Sequence, residues 1–198
     1  MNYLGHAFLS FNDCDILTGN MIADHVKGKL ALDKYPPGIK RGIELHRKID
    51  ERTDIHPATA RAKLIFREHY GLYSGPVVDT LYDHFLANDP KFFPDERVLL
   101  SFTQTVYRQL DNNIGWMPEK FASYFPSMKQ HNWLYNYRTV KGIERALIGL
   151  GRRALYMPPV DKAYEIFISS YYQLNQCYYE FIDDVISFVK SETNNQIS

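Results

Sequence analysis

Glu44-Leu45-His46-Arg47-Lys48-Ile49-Asp50-Glu51-Arg52-Thr53-Asp54-Ile55-His56-Pro57 is the stretch on which the reading of this chain turns. In a helix, His46 and Asp50 lie one turn apart and Asp54 a further turn on, so an imidazole and two carboxylates share one face. That is the outline of a metal-ligand ladder. Pro57 disfavours helical geometry at His56, so the helix is expected to end at Thr53 and Asp54. An acid there opposes the helix macrodipole by roughly a few tenths of a kcal/mol. Asp54 therefore asks for a reason other than helix stability. The plain alternative is a solvated face with an incidental ion pair, since i,i+4 charge pairs are common.

Working outward, the chain reads as helical almost throughout. Upstream, Tyr35-Pro36-Pro37-Gly38 forms a loop, with Pro37 placed to start the central helix. Ile16 to Gly28 reads as a helix with Leu17, Met21 and Ile22 inward. Asp24, three residues after Met21, points near the buried side, where a carboxylate is costly without a cation or a donor. Residues from about Tyr3 to Phe11 form a short apolar helix carrying His6, either a satisfied core histidine or a ligand. Downstream, a helix runs from His56-Pro57 to about His69, and Gly71 to Pro76 interrupts. Val77 to Ala87 follows, with Asp79 and Asp83 again four apart and His84 adjacent to Asp83 in a strongly apolar setting.

Further helices are expected at about Asp95 to Asn112, Glu119 to Gln130 and Val140 to Ala154. Arg152 and Arg153 read as a solvated helix end, with contact to an anionic ligand as the alternative, and Trp133, Tyr135 and Tyr137 read as packing residues. From Val160 one long helix is expected, with Tyr164, Phe167, Tyr171, Leu174, Tyr178, Phe181, Val185 and Phe188 forming a seam against a neighbouring helix, within the subunit or across a dimer. The tail Ser191 to Ser198 is polar and expected to fray.

Length and composition agree with one all-α domain over residues 1–198, a helical bundle. The 198 residues are 45% hydrophobic and 15% aromatic, enough for a substantial core. Net charge is zero, which gives no global bias toward nucleic acid or membrane. From His25 to Tyr70, however, eleven basic residues meet six acidic ones, a basic region suited to an acidic or phosphate-bearing partner. Cys14 and Cys177 match no zinc or redox spacing and read as reduced thiols of a cytoplasmic protein. No stretch approaches the roughly 18 apolar residues that a membrane span needs, and the N-terminus lacks a basic leader region, so a soluble protein is expected.

Together the helices offer His6, Asp24, His46, Asp50, Asp54, Asp79, Asp83 and His84, imidazoles and carboxylates with no thiolate. Mixed N/O ligation suits manganese, iron, zinc or magnesium, and spacing does not choose among them. Several helices each turning one such residue inward is how bundle metal sites are assembled. A metal so held can activate water and offset charge on a phosphoryl oxygen, with Lys27, Arg47 and Lys48 as donors to the phosphate. His84 or His6, if not ligands, can protonate a leaving alkoxide.

Met1-Asn2-Tyr3-Leu4-Gly5-His6, Gly19-Asn20-Met21-Ile22-Ala23-Asp24, His46-Arg47-Lys48-Ile49-Asp50 with Thr53-Asp54, and Asp79-Thr80-Leu81-Tyr82-Asp83-His84-Phe85-Leu86 are similar, in order and spacing, to the acyl carrier protein phosphodiesterase family. The likeness is specific in the first half of the chain and rests mainly on aromatic helical character in the second. It implies an all-helical, atypical HD-domain-like phosphohydrolase that uses manganese to release 4′-phosphopantetheine from the serine of holo acyl carrier protein. Acidic carriers would give the basic region a purpose.

The adjacent His-Asp pair of HD enzymes is absent at the central helix, where Arg47 follows His46, and Asp83-His84 is the reverse order. On this reading His6, Asp24, His46, Asp50 and Asp83 hold the metal, and Asp24, His46, Asp50, Asp83 and His84 carry the chemistry. Lys27, Arg41, Arg47 and Lys48 meet the carrier. Which of Asp50, Asp54 and Asp79 reaches the ion stays open. So do two rivals: a phosphohydrolase of nucleotides or other small phosphoesters, and a noncatalytic helical protein that binds an acidic partner.

Overall fold

Prolines and short polar caps set where the helices begin. The structure, a computed structural model, describes residues 1–154 and 156–194. Helix α1 is Tyr3–Phe8, capped by the Asn2 side chain, and α2 is Cys14–Ile22, capped by Asp13. A short α3, Lys29–Leu32, precedes α4, Pro37–Ile55, which has proline at its first position. Pro57 ends α4 and starts α5, Pro57–Tyr70, while the His56 ring accepts from the Ala58 N–H. Helix α6 is Ser74–Ala87, α7 Glu96–Asn112, α8 Glu119–Gln130, α9 Trp133–Asn136 and α10 Val140–Arg153. Helices α11, Asp161–Ser169, and α12, Tyr171–Asn194, close the described chain. No strand occurs among the described residues, so the all-α expectation holds.

Helix α4 is the organising element. Ile39, Ile43, Leu45, His46 and Ile49 share its buried face. Burying one such aliphatic side chain contributes about 1.5–3 kcal/mol. That face meets α2 at unusually close range. A Cβ on Gly19 would stand 2.0 Å from the Ile39 carbonyl oxygen, and one on Gly42 would stand 2.3 Å from that of Ile16. The two backbones touch because neither residue has a side chain. Helix α1 packs on α2 and α6, and α12 lies along α5, α4 and α6 within the same chain. There Tyr82 stacks on Phe181 with ring centroids 5.0 Å apart.

Several boundaries differ from the sequence reading. Helix α1 stops at Phe8 because Phe11 and Asn12 take left-handed geometry (φ 46° and 66°) to turn into α2. Helix α2 ends at Ile22, and Ala23–His25 tightens into a 3-10 turn before Gly28 reverses the chain at φ 82°. Helix α6 begins at Ser74, taking Pro76 into its first turn, where a missing N–H costs nothing.

The single C-terminal helix is broken at Ser170 into α11 and α12. Its seam keeps Phe167, Leu174, Tyr178, Phe181 and Val185 buried across the break. The tail expected to fray from Ser191 is helical to Asn194, and residues 195–198 lie outside the described residues.

Candidate functional site

The glycine crossing places α2 and α4 so that one residue serves two imidazoles. Asn20, fully buried, accepts at its side-chain oxygen from His6 Nδ1 at 2.8 Å, and its main-chain oxygen accepts from His46 Nδ1 at 2.7 Å. Its amide nitrogen donates to the His6 carbonyl and to Ser10 Oγ, which fixes the amide orientation. Both Nδ1 atoms therefore carry the proton in the neutral rings, and both Nε2 lone pairs point elsewhere. The rings stack at 3.9 Å with planes 18° apart, presenting the two Nε2 atoms side by side.

Asp50, one turn beyond His46, faces that pair. Its Oδ1 is 3.2 Å from His6 Nε2 and its Oδ2 is 3.1 Å from His46 Nε2. The distances are short, yet both Nε2 atoms are buried without a hydrogen-bonding partner, because the alignment is wrong for N–H donation. Orphaned buried nitrogens of this kind call for an occupant. One donor atom from each of His6, His46 and Asp50 lies within 4.8 Å of the others. Donors bound to one ion at about 2.1 Å stand at most about 4.2 Å apart, so modest closure suffices. The residues fit a divalent metal.

Electrostatics around the triad are tightly coupled. Burial, aided by the neighbouring His46 ring, pulls the His6 pKa down to about 4. At His46 burial pulls the same way, but the carboxylates of Asp24 and Asp50 overcome it and raise the pKa to about 9. Burial of Asp50 is overcome in turn by His46 and His6, which hold its carboxyl well below the usual range. Two stacked imidazoles do not both take a proton. A dication at Nε2 would relieve the same field.

Around this centre the expected residues divide. Asp24 was expected near the buried side. Its side chain is instead 67% exposed at the cleft rim, because the 3-10 turn after Ile22 changes the phase, and its Oδ1 lies 3.3 Å from His46 Nε2. The His46 imidazole beside it lowers the pKa of Asp24.

Asp83, expected as a ligand, is fully buried with both oxygens occupied. Oδ1 accepts from the N–H groups of Asn2 and Gly5 at 3.2 and 3.0 Å, and Oδ2 from that of Leu4 at 2.7 Å. It anchors the start of α1, which carries His6. His84 donates from Nδ1 to the Tyr137 carbonyl at 2.7 Å and accepts at Nε2 from the Tyr171 hydroxyl at 3.0 Å, so the expected catalytic imidazole is a strut between helices.

Of the three acids left open, Asp50 is the one in the donor group. Asp54 pairs with Lys63 at 2.7 Å, which is the reason for an acid at that helix end, and Asp79 takes the Met1 amine at 3.0 Å. Among the expected carrier contacts, Lys27 lines the cleft and Arg41 is exposed on α4. Arg47 donates to the Val26 carbonyl at 3.0 Å and so pins the turn bearing Asp24, while Lys48 is paired with Glu192.

The cleft beside His46 and Asp50 encloses about 880 Å³, and its wall includes Arg153 together with Tyr3, His25 and Lys120, to which the sequence reading gave no role in the site. Arg153, read as a solvated helix end, reaches Tyr3 Oη at 3.4 Å. The Tyr3 and Tyr124 hydroxyls meet at 2.7 Å, and Tyr124 Oη lies 2.8 Å from His25 Nε2. Asn20 was also missed. A lone amide inside the apolar run Ile16 to Ile22 was the available signal, the same one that drew attention to Asp24.

A family model described as acyl carrier protein phosphodiesterase matches residues 1–185. The chain is 28% identical to an acyl carrier protein phosphodiesterase of Photorhabdus laumondii over 91% of each chain. It is 27% identical to one of Serratia proteamaculans over 97% of this chain and 99% of the relative. It is 30% identical to one of Salmonella paratyphi A over 77% and 79% respectively. No solved structure matches. Among the described residues, no helix is long and apolar enough to cross a membrane.

Proposed function

The chain belongs to the acyl carrier protein phosphodiesterase family, and on that premise we propose that it is a metal-dependent hydrolase, atypical HD-like, that removes 4′-phosphopantetheine from holo acyl carrier protein. Water adds to phosphorus, the bond to the carrier serine oxygen breaks, a proton from the water ends on that oxygen, and apo carrier and 4′-phosphopantetheine leave. The single observation that carries this reading is the pair of buried, unpartnered Nε2 atoms of His6 and His46 beside Asp50.

These three residues would hold the ion, with manganese the ion implied by the family likeness. When bound, the ion supplies a low-pKa water and offsets charge on a phosphoryl oxygen. The protein does the rest. Asn20 holds both imidazoles in the ligating tautomer. Asp83 fixes α1 against α6 and so fixes His6. Lys27, Lys120 and Arg153 line the cleft as donors to phosphate oxygens. Asp24, at the rim beside His46, joins the site from the solvent side. Arg41 and Arg47, exposed on α4, extend the basic surface toward an acidic carrier. Two free cysteines support a reducing, cytoplasmic setting for the reaction.

The test is incubation with holo acyl carrier protein and manganese, followed by mass measurement of the carrier. Loss of the phosphopantetheine arm is expected. An unchanged carrier with every divalent metal tried refutes the proposal. Charge reversal at Arg41, exposed on α4 and outside the cleft wall, should then raise KM for the carrier about tenfold while sparing a small aryl phosphodiester; equal effects on both favour a small-phosphoester enzyme.

A further inference from the structure

A second lobe of the cleft opens on the far side of Asp50. It encloses about 430 Å³ and is walled by Asp54, Lys63, Arg67, Leu72, Ser74 and Gly75. Asp50, Pro76 and Asp79 line both lobes, so the two spaces meet at the triad's own carboxylate. A phosphodiester has two ester arms that diverge from one phosphorus. A centre with one lobe on each side matches that shape.

The lobes differ in what they admit. Ligand clefts run from about 300 to 1,000 Å³, so the smaller lobe is ligand-sized, but a helix with its side chains is about 10–12 Å across and is too wide for it. In charge the smaller lobe has one cation in no ion pair among the described residues, Arg67, against three in the larger. Lys63 is already bound to Asp54, at 2.7 Å through the carboxylate and 3.2 Å through the main-chain oxygen. In the larger lobe Lys27, Lys120 and Arg153 are in no ion pair among the described residues. Leu72, 95% exposed at the edge of the smaller lobe, gives it an apolar lip.

We infer that the smaller lobe is the binding site for the non-protein arm of the diester, a slender, uncharged chain of alkyl and amide segments, with the protein arm on the Lys27, Lys120 and Arg153 side. This assignment rests on the proposed function and deepens it. The serine-bearing surface docks over the larger lobe, the phosphate lies over His6, His46 and Asp50, and the chain runs past Asp79 and Pro76 between α5 and the start of α6. Product leaves by the smaller lobe without the carrier having to thread through it.

Gly75 supplies the experiment. It lies in the first turn of α6, and a Cβ added there would meet no atom within 4 Å. A side chain there starts in open space at the wall of the lobe, so Gly75→Trp is chosen to obstruct it, and Gly75→Leu is a smaller plug should the indole perturb packing. Turnover of holo carrier and of bis(p-nitrophenyl) phosphate is measured for wild type and both variants, and binding of free 4′-phosphopantetheine is measured by calorimetry. Each plug is expected to lower kcat/KM for holo carrier about 10–100-fold more than for the aryl diester, and to weaken phosphopantetheine binding similarly. Equal losses on both substrates, or no loss on either, overturn the assignment while leaving the proposed function standing. Wild-type protein that cleaves the aryl diester but not holo carrier overturns the proposed function, and the assignment with it.

Discussion

Two clusters in this molecule are built from the same residue types and do opposite things. At the cleft, His6, His46 and Asp50 come together with two ring nitrogens buried and unpartnered. On α6, Asp83 and His84 are equally buried, yet Asp83 accepts three main-chain N–H groups and His84 uses both ring nitrogens, on the C-cap of α9 and on α12. Side-chain chemistry and helical spacing do not separate them. Hydrogen-bond accounting does: the satisfied cluster is a strut, and the unsatisfied one waits for a ligand.

The sharpest way to break this contrast is Asp50→Asn. Losing one ligand removes several kcal/mol of transition-state stabilisation, so kcat/KM should fall on the order of 10³-fold together with manganese binding. Metal analysis and the holo-carrier assay check it, and retained activity would mean that the triad is not the centre. Asp83→Asn should act on the fold instead. An amide facing three N–H donors leaves at least one unsatisfied, costing about 3 kcal/mol in a urea titration, while the folded fraction still binds metal. Loss of metal with stability intact would reverse the assignments.

Asn20→Ala tests the tautomer argument, since it frees His6 Nδ1 without touching a ligand atom. Metal affinity should drop about 10–100-fold, read by competition with a chelating dye. The smallest effect concerns His84, whose burial depresses its pKa from 6.5. The unfolded chain takes up a proton that the folded one refuses, so stability should fall as pH drops below 6.5. His84→Gln should show a shallower fall over that range by thermal unfolding, and identical slopes would show that this ring titrates freely.

Much of the architecture was legible because its signals are local. Pro37 and Pro57 bracket α4, Asp95 starts α7, and the heptad spacing from Tyr164 marks a seam that buries Phe167, Leu174, Tyr178, Phe181 and Val185 while leaving Tyr171 36% exposed. The ladder at His46 and Asp50 was legible for the same reason. What escaped depends on partners distant in sequence. The carbonyl of Asn20 meets His46 across 26 positions, and Arg153 meets Tyr3 across 150. Lys48 read as a substrate contact until Glu192, 144 positions on, appeared beside it. Asp83 and His84 misled because a buried Asp-His pair looks the same on paper whether its lone pairs are free or taken.

The touching backbones at Gly19 and Gly42 bear on how relatives of this protein should be recognised. A methyl group at either point would force α2 away from α4, and Asn20 would no longer reach both rings. A chain could keep every acid and imidazole of the pattern and still be inert for want of two hydrogen atoms where side chains would stand. Searches for active members should score those glycines alongside the ligands, and designers transplanting the site should copy the crossing before the metal-binding residues.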